Sequence, residues 1–125
     1  YVLVEMSYHS RPINLYEILF EIKTNGYIPV LAHPERYMFM HNKIEKYYEL
    51  KKIGCKFQLN LFSITGLYGN SIVKFSDKLL KLDLIDFVGT DIHRLEQIKN
   101  FNRNIKIKNT KVLNLAIQNT EEIFR

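Results

Sequence analysis

Two rhythms of apolar residues take turns along the chain. Tyr1 to Met6 is a short run rich in Val, and Tyr27 to Ala32, Cys55 to Leu61 and Leu84 to Val88 have the length and composition of further buried strands. Between them the apolar positions fall at helical spacing. Leu15, Ile18, Leu19 and Ile22 mark a helix over 14–24, Ile44, Tyr47, Tyr48 and Leu50 one over 44–53, and Val73, Leu79, Leu80 and Leu82 one over 72–82. The first two stop at Gly26 and Gly54, as helices with a glycine C-cap do. Residues 63–70 carry two glycines and read as a loop, and 111–124 as a closing helix.

Strands alternating with helices imply βα units and a mostly parallel sheet, repeating at roughly 28 residues in structure rather than in sequence. Four such units make either a small open sheet or part of a barrel, and the pattern alone does not choose. With 125 residues the chain is one domain, 1–125. Hydrophobic residues at 46% and charged ones at 25% place it among soluble globular proteins rather than disordered or fibrous ones. No apolar stretch approaches the ~18 residues that a bilayer requires, so no membrane insertion is expected. The single Cys55 excludes an internal disulfide and fits a reducing cytoplasm. A net charge of +5 adds a mild bias toward anionic partners, phosphates included. The chain opens on a strand already under way, with no initiator Met, and a preceding segment is expected.

Candidate chemistry sits where three of these strands end. In parallel α/β folds functional groups gather at those ends. The first strand delivers Glu5, the second His33, and the last Asp91 with His93 two residues on. Each alone has a plain alternative: a solvated loop acid, a structural histidine, a chance Asp-x-His. Their coincidence at equivalent places favours a joint metal site, and imidazole with carboxylate and no thiolate suits Mn, Fe or Zn. Arg36 could aim its planar fork at a phosphate held over such a site, or pair with Glu35 on the surface. Arg94 is a second phosphate candidate. His9 and His41 lack any such pattern and read as surface residues. A cysteine-based phosphatase needs an arginine six residues after its cysteine. Position 61 is Leu, so Cys55 reads as a small buried residue. Thr65-Gly66-Leu67-Tyr68-Gly69 lacks the Gly-Lys-Ser/Thr ending of a phosphate loop and reads as a tight turn near the rim. Lys106, Lys108 and Lys111 read as a solvated face.

Gly26-Tyr27-Ile28-Pro29-Val30-Leu31-Ala32-His33-Pro34-Glu35-Arg36 resembles the G-x-x-P-x-x-A-H-P-E-R segment of bacterial metal-dependent protein-tyrosine phosphatases of capsular and exopolysaccharide operons. These belong to the polymerase-and-histidinol-phosphatase (PHP) superfamily. Val2-Leu3-Val4-Glu5, Phe57 to Asn60 with Ser63 to Gly69, and Asp91-Ile92-His93 are similar to further parts of that pattern. The resemblance implies a PHP-type distorted (β/α)₇ TIM-like barrel, of which this chain is the C-terminal part. It implies a cluster of Mn²⁺-type cations, with Fe or Zn as alternatives, held by Glu5, His33, Asp91 and His93, and a phosphate held by Arg36. The implied reaction is hydrolysis of phosphotyrosine on a tyrosine kinase that governs polysaccharide assembly. The family's opening His-x-His strand and early glutamate are absent here, so reduced activity, weak metal binding and homo-oligomerisation through open sheet edges are expected of these residues alone. The family's arginine after Asp-x-His is absent too, and Arg94 is its candidate replacement. Two other readings stand beside this one: a PHP phosphoesterase of the histidinol-phosphate type, and a basic, non-catalytic binding module. The phosphatase reading expects no nucleic-acid partner.

Overall fold

The computed structural model describes residues 1–125 as one curved parallel sheet with helices packed on one side. The strands β1 (Val2–Val4), β2 (Pro29–Ala32), β3 (Lys56–Asn60) and β4 (Phe87–Gly89) lie in sequence order. The helices α1 (Leu15–Thr24), α2 (Ile44–Lys52) and α3 (Asn70–Lys81) cross from one strand to the next, and α4 (Thr110–Ile123) closes the chain. No helix is long and apolar enough to cross a membrane.

The crossovers are cut to one pattern. After α1, Gly26 N–H bonds Lys23 O and Tyr27 N–H bonds Ile22 O; Gly54 and Cys55 repeat this after α2, and Asp83 and Leu84 after α3. Such paired bonds need a left-handed residue at the turn, supplied twice by glycine and once by Asp83 at φ 56°. Each turn returns the chain into the core in the same direction.

Register sorts the side chains. Leu31, Phe57, Leu59 and Val88 face the helices and join Leu19, Leu50, Leu79, Leu80 and Leu113 in one core. Each fully buried Leu there contributes roughly 1.5–3 kcal/mol of transfer free energy. Tyr1, Leu3, Ala32, Gln58, Phe87 and Gly89 face the other way. At the two edges, the rings of Tyr1, just before β1, and of Phe87, the first residue of β4, meet edge to face at 5.4 Å. Four flat strands would hold them roughly 14 Å apart, so the sheet curls into an arc with this face inside. The Val88 N–H of edge strand β4 is covered by the Thr120 hydroxyl at 2.9 Å.

Three sequence expectations are corrected. Residues 63–70 are not all loop: Leu61–Thr65 is a 3₁₀ turn whose Phe62, Ser63, Ile64 and Thr65 are buried, started by the Asn60 side chain accepting from Phe62 N–H. The third helix begins at Asn70, not Ile72. The fourth strand runs Phe87–Gly89 rather than from Leu84, since Leu84 and Ile85 are apolar for the core and not for the sheet.

Candidate functional site

The carboxyl ends of β1, β2 and β4 open into a cleft of about 360 Å³ lined by Glu5, His33, Gln58, Asn60, Asp91 and His93, among others. Glu5 follows β1 directly. His33 follows β2 and turns there with φ 35°, and Asp91 leaves β4 with φ 51°. Left-handed backbone costs a non-glycine residue energy, and His33 bears it just before a proline, where the chain prefers extended conformations. Two of the four expected ligands are therefore held in strained backbone, a mark of sites that the surrounding fold over-determines.

Three of the expected ligands meet. His33 Nε2 lies 3.1 Å from Glu5 Oε1 and 3.9 Å from Asp91 Oδ2. His93 is more peripheral: its Nδ1 is 3.5 Å from Asp91 Oδ1, and its side chain is 72% exposed. Burial first, and the neighbouring Arg36 guanidinium second, lower the pKa of His33. Both favour the neutral imidazole, the form that ligates metals. Its Nδ1 is buried with no hydrogen-bond partner. The donor set is of the kind that suits a divalent cation of Mn, Fe or Zn type. The donors do not yet surround a common centre, and no group of three His, Cys, Asp or Glu side chains forms a ligating cluster. They are bonded to one another instead, with Arg36 Nη1 donating to Asp91 Oδ2 at 3.2 Å.

Arg36 and Glu35 belong to the 3₁₀ turn Pro34–Arg36, where successive side chains point roughly 120° apart. The pairing of Arg36 with Glu35 is accordingly not formed. Glu35 turns inward, fully buried, and accepts from Ser63 Oγ at 2.5 Å and Asn60 N–H at 3.1 Å. Burial pushes its carboxyl up to about 7. It thus fastens the His33 turn to the end of β3, while Arg36, itself outside the cleft lining, reaches the cleft residue Asp91. Arg94 is not brought in. It is exposed at the start of the 3₁₀ helix Leu95–Asn102 and does not line the cleft.

His41 is not a surface residue. Its Nε2 lies 2.7 Å from Glu35 O and its ring stacks on Phe75 at 3.9 Å. His9 is exposed and Cys55 buried, as expected. Sequence reasoning missed Tyr8, whose hydroxyl lies 3.4 Å from both Glu5 Oε1 and His33 Nε2. It missed Tyr37 as well, whose ring lies 5.4 Å from His33 and whose hydroxyl accepts from Met6 N–H. The one signal was local, Tyr8 lying three residues beyond a candidate ligand.

A model of the family described as capsular polysaccharide synthesis, CpsB/CapC, matches residues 1–125. The chain is 33% identical over 95 residues to the putative tyrosine-protein phosphatase CapC of Staphylococcus aureus. It is 31% identical over 96 residues to the tyrosine-protein phosphatase YwqE of Bacillus subtilis (strain 168). These alignments take in 76% and 77% of the chain but 37% and 38% of the relatives, so the chain spans about two fifths of their length. It also superposes on a solved structure from work on YwqE of Bacillus subtilis and CpsB of Streptococcus pneumoniae, proteins described there as unique metal-dependent tyrosine phosphatases. The TM-score is 0.68 at 25% identity, covering 93% of this chain and 52% of that one.

Proposed function

Because the chain belongs to the capsular polysaccharide synthesis CpsB/CapC family, we propose that it forms the metal-facing and phosphate-facing rim of a metal-dependent protein-tyrosine phosphatase. The observation that carries this reading is the meeting of Glu5, His33 and Asp91, from three different strand ends, with Arg36 against Asp91. The curled sheet is read as an arc of a PHP-type distorted (β/α)₇ barrel.

Glu5, His33 and Asp91, with His93 at the margin, would hold the metal, Mn²⁺ foremost and Fe or Zn as alternatives. A bound divalent ion supplies an acidified water and neutralises phosphoryl charge. The chain's own residues do the rest. Arg36 presents N–H donors to the phosphoryl oxygens, and its pairing with Asp91 fixes that arginine at the metal-facing side. Burial keeps His33 neutral and free to ligate. Tyr8, its own pKa raised chiefly by burial, stays a phenol and donates to Glu5. A tyrosinate leaves readily enough that no strong general acid is required. Arg94 is assigned no part. The substrate is phosphotyrosine in a protein, a polysaccharide-assembly tyrosine kinase, in the cytoplasm; self-association through the open sheet edges accompanies this reading.

The test is metal content. His33→Ala and Asp91→Ala in the intact protein should lower bound metal and phosphotyrosine-peptide hydrolysis together. Histidinol phosphate in the same assay should be a poor substrate. Unchanged metal stoichiometry in both variants would overturn the ligand assignment.

A further inference from the structure

Two tyrosine rings pack against Arg36. Its guanidinium carbon lies 4.6 Å from the ring centroid of Tyr8 and 4.1 Å from that of Tyr68. Tyr8 comes from the segment after β1 and Tyr68 from the turn after β3, the strands on either side of β2, which leads to Arg36. The turn that carries Tyr68 is the glycine-flanked stretch that reads in sequence as a tight turn near the rim. Gly66 and Gly69 adopt φ 88° and 95°, and Gly69 N–H closes on Gly66 O at 3.1 Å. A side chain at either glycine would strain the backbone that places Tyr68.

Guanidinium stacks well on aromatic faces, and stacking leaves its N–H groups pointing outward in the plane. Only one of them has a protein acceptor, Nη1 on Asp91 Oδ2. With two rings packed against it and one corner tied to Asp91, the guanidinium is held in place while its remaining donors stay free for an anion, the donors that bidentate phosphate binding uses. An arginine fixed beforehand also loses less rotamer freedom on binding its anion.

We propose that Tyr8 and Tyr68 are positioning residues that clamp Arg36 between their rings for the phosphate of a monoester substrate. The inference rests on the phosphatase reading and goes beyond it by assigning two residues that act through Arg36 rather than on the substrate. The ring, and not the hydroxyl, is what the clamp needs: Tyr68 makes its stacking contact with Arg36, whereas the Tyr8 hydroxyl has a separate contact with Glu5.

The experiment compares the intact protein with Tyr68→Phe and Tyr68→Leu, using p-nitrophenyl phosphate as substrate and inorganic phosphate as competing ligand. Tyr68→Leu should lower kcat/KM about tenfold and weaken phosphate inhibition by a similar factor, the scale of a partly desolvated cation–π contact. Tyr68→Phe should stay within about twofold of wild type on both readouts. Bound metal should be unchanged in both. If thermal melts show Tyr68→Leu unfolded, Tyr68→Gln, which removes the ring without leaving a branched apolar side chain on a half-buried surface, makes the same comparison. Phosphate affinity and turnover equal to wild type in the Leu variant would overturn the clamp, as would a Phe variant as impaired as the Leu one. A wild-type protein that retains metal yet neither binds phosphate nor turns over substrate would overturn the phosphatase reading and the clamp with it. An active wild type with indifferent ring variants overturns the clamp alone.

Discussion

Asp86 and Asp91 flank the same short strand, β4, and the protein uses them in opposite ways. Asp86, at the amino end, is saturated. Its Oδ1 takes Lys56 Nζ at 3.0 Å, and its Oδ2 takes Lys51 Nζ and the Phe57 N–H, the latter at 2.8 Å. Those bonds tie the end of α2, the start of β3 and the start of β4 together. Asp91, at the carboxyl end, sits in left-handed backbone, with Arg36 Nη1 at 3.2 Å and the two imidazoles at 3.5 and 3.9 Å. Only the first of these distances is that of a hydrogen bond. One carboxylate is finished by the fold. The other is held at a cost, among partners that can let go of it, which is what a site that binds and releases requires.

The sharpest way to press the contrast is at Asp91's firmest partner. Arg36→Ala should leave bound metal and stability near wild type and lower phosphotyrosine-peptide turnover roughly 10²-fold, about 3 kcal/mol of transition-state stabilisation. Arg36→Lys should recover only part of that, since a point charge does not reproduce the fork. Wild-type turnover in the Ala variant would make the Arg36–Asp91 pair structural, like the pairs at Asp86, and the contrast would vanish.

The next effect belongs to stability. Asp86→Ala leaves two lysines and the Phe57 N–H without their acceptor and should cost about 2 kcal/mol in denaturant unfolding. Asp91→Ala removes a single hydrogen bond and relieves no strain, since alanine tolerates a left-handed φ no better than aspartate, and should cost about 1 kcal/mol at most. Equal losses would mean that Asp91 is as much a part of the fold as Asp86.

How much of this was legible in the sequence follows from the range of each interaction. The four strands, four helices and parallel order were readable because apolar periodicity and the glycines at 26 and 54 are local signals. Glu5, His33 and Asp91 were readable as a group because parallel strands must bring their ends to one rim. The partner of Arg36 was not. Its neighbour Glu35 was the obvious candidate on the chain, and the partner it takes, Asp91, lies 55 residues away. Tyr68 escaped for the same reason, since a ring that stacks on a residue of another loop leaves no period in its own. His41 looked exposed because nothing near it in sequence announces Phe75.

The smallest predicted effect asks whether saturation alone makes an aspartate structural, or whether its charge matters. Asp77 on α3 is a third case, with Oδ1 accepting from Lys108 N–H at 3.0 Å, Asn109 N–H at 2.9 Å and Asn109 Nδ2 at 2.8 Å. It thereby caps the start of α4, whose own N-cap residue Asn109 makes no capping bond with its side chain. Partial burial pulls its pKa up, but the bonds from Asn109 and Lys108 outweigh this and hold it below the usual 3.8. The folded state then prefers the carboxylate, and the unfolded chain binds the proton more readily. The stability that Asp77 contributes is therefore complete above pH 3.8 and lost as pH falls through its lower folded value. Asp77→Asn keeps an acceptor oxygen and removes the charge. It should cost about 0.5 kcal/mol at neutral pH, the scale of an anion at a helix start, and the gap from wild type should close as unfolding is followed into acid. A gap that stays constant with pH would show that geometry, not charge, holds α4. The rule drawn from Asp86 would then be one of hydrogen bonds alone.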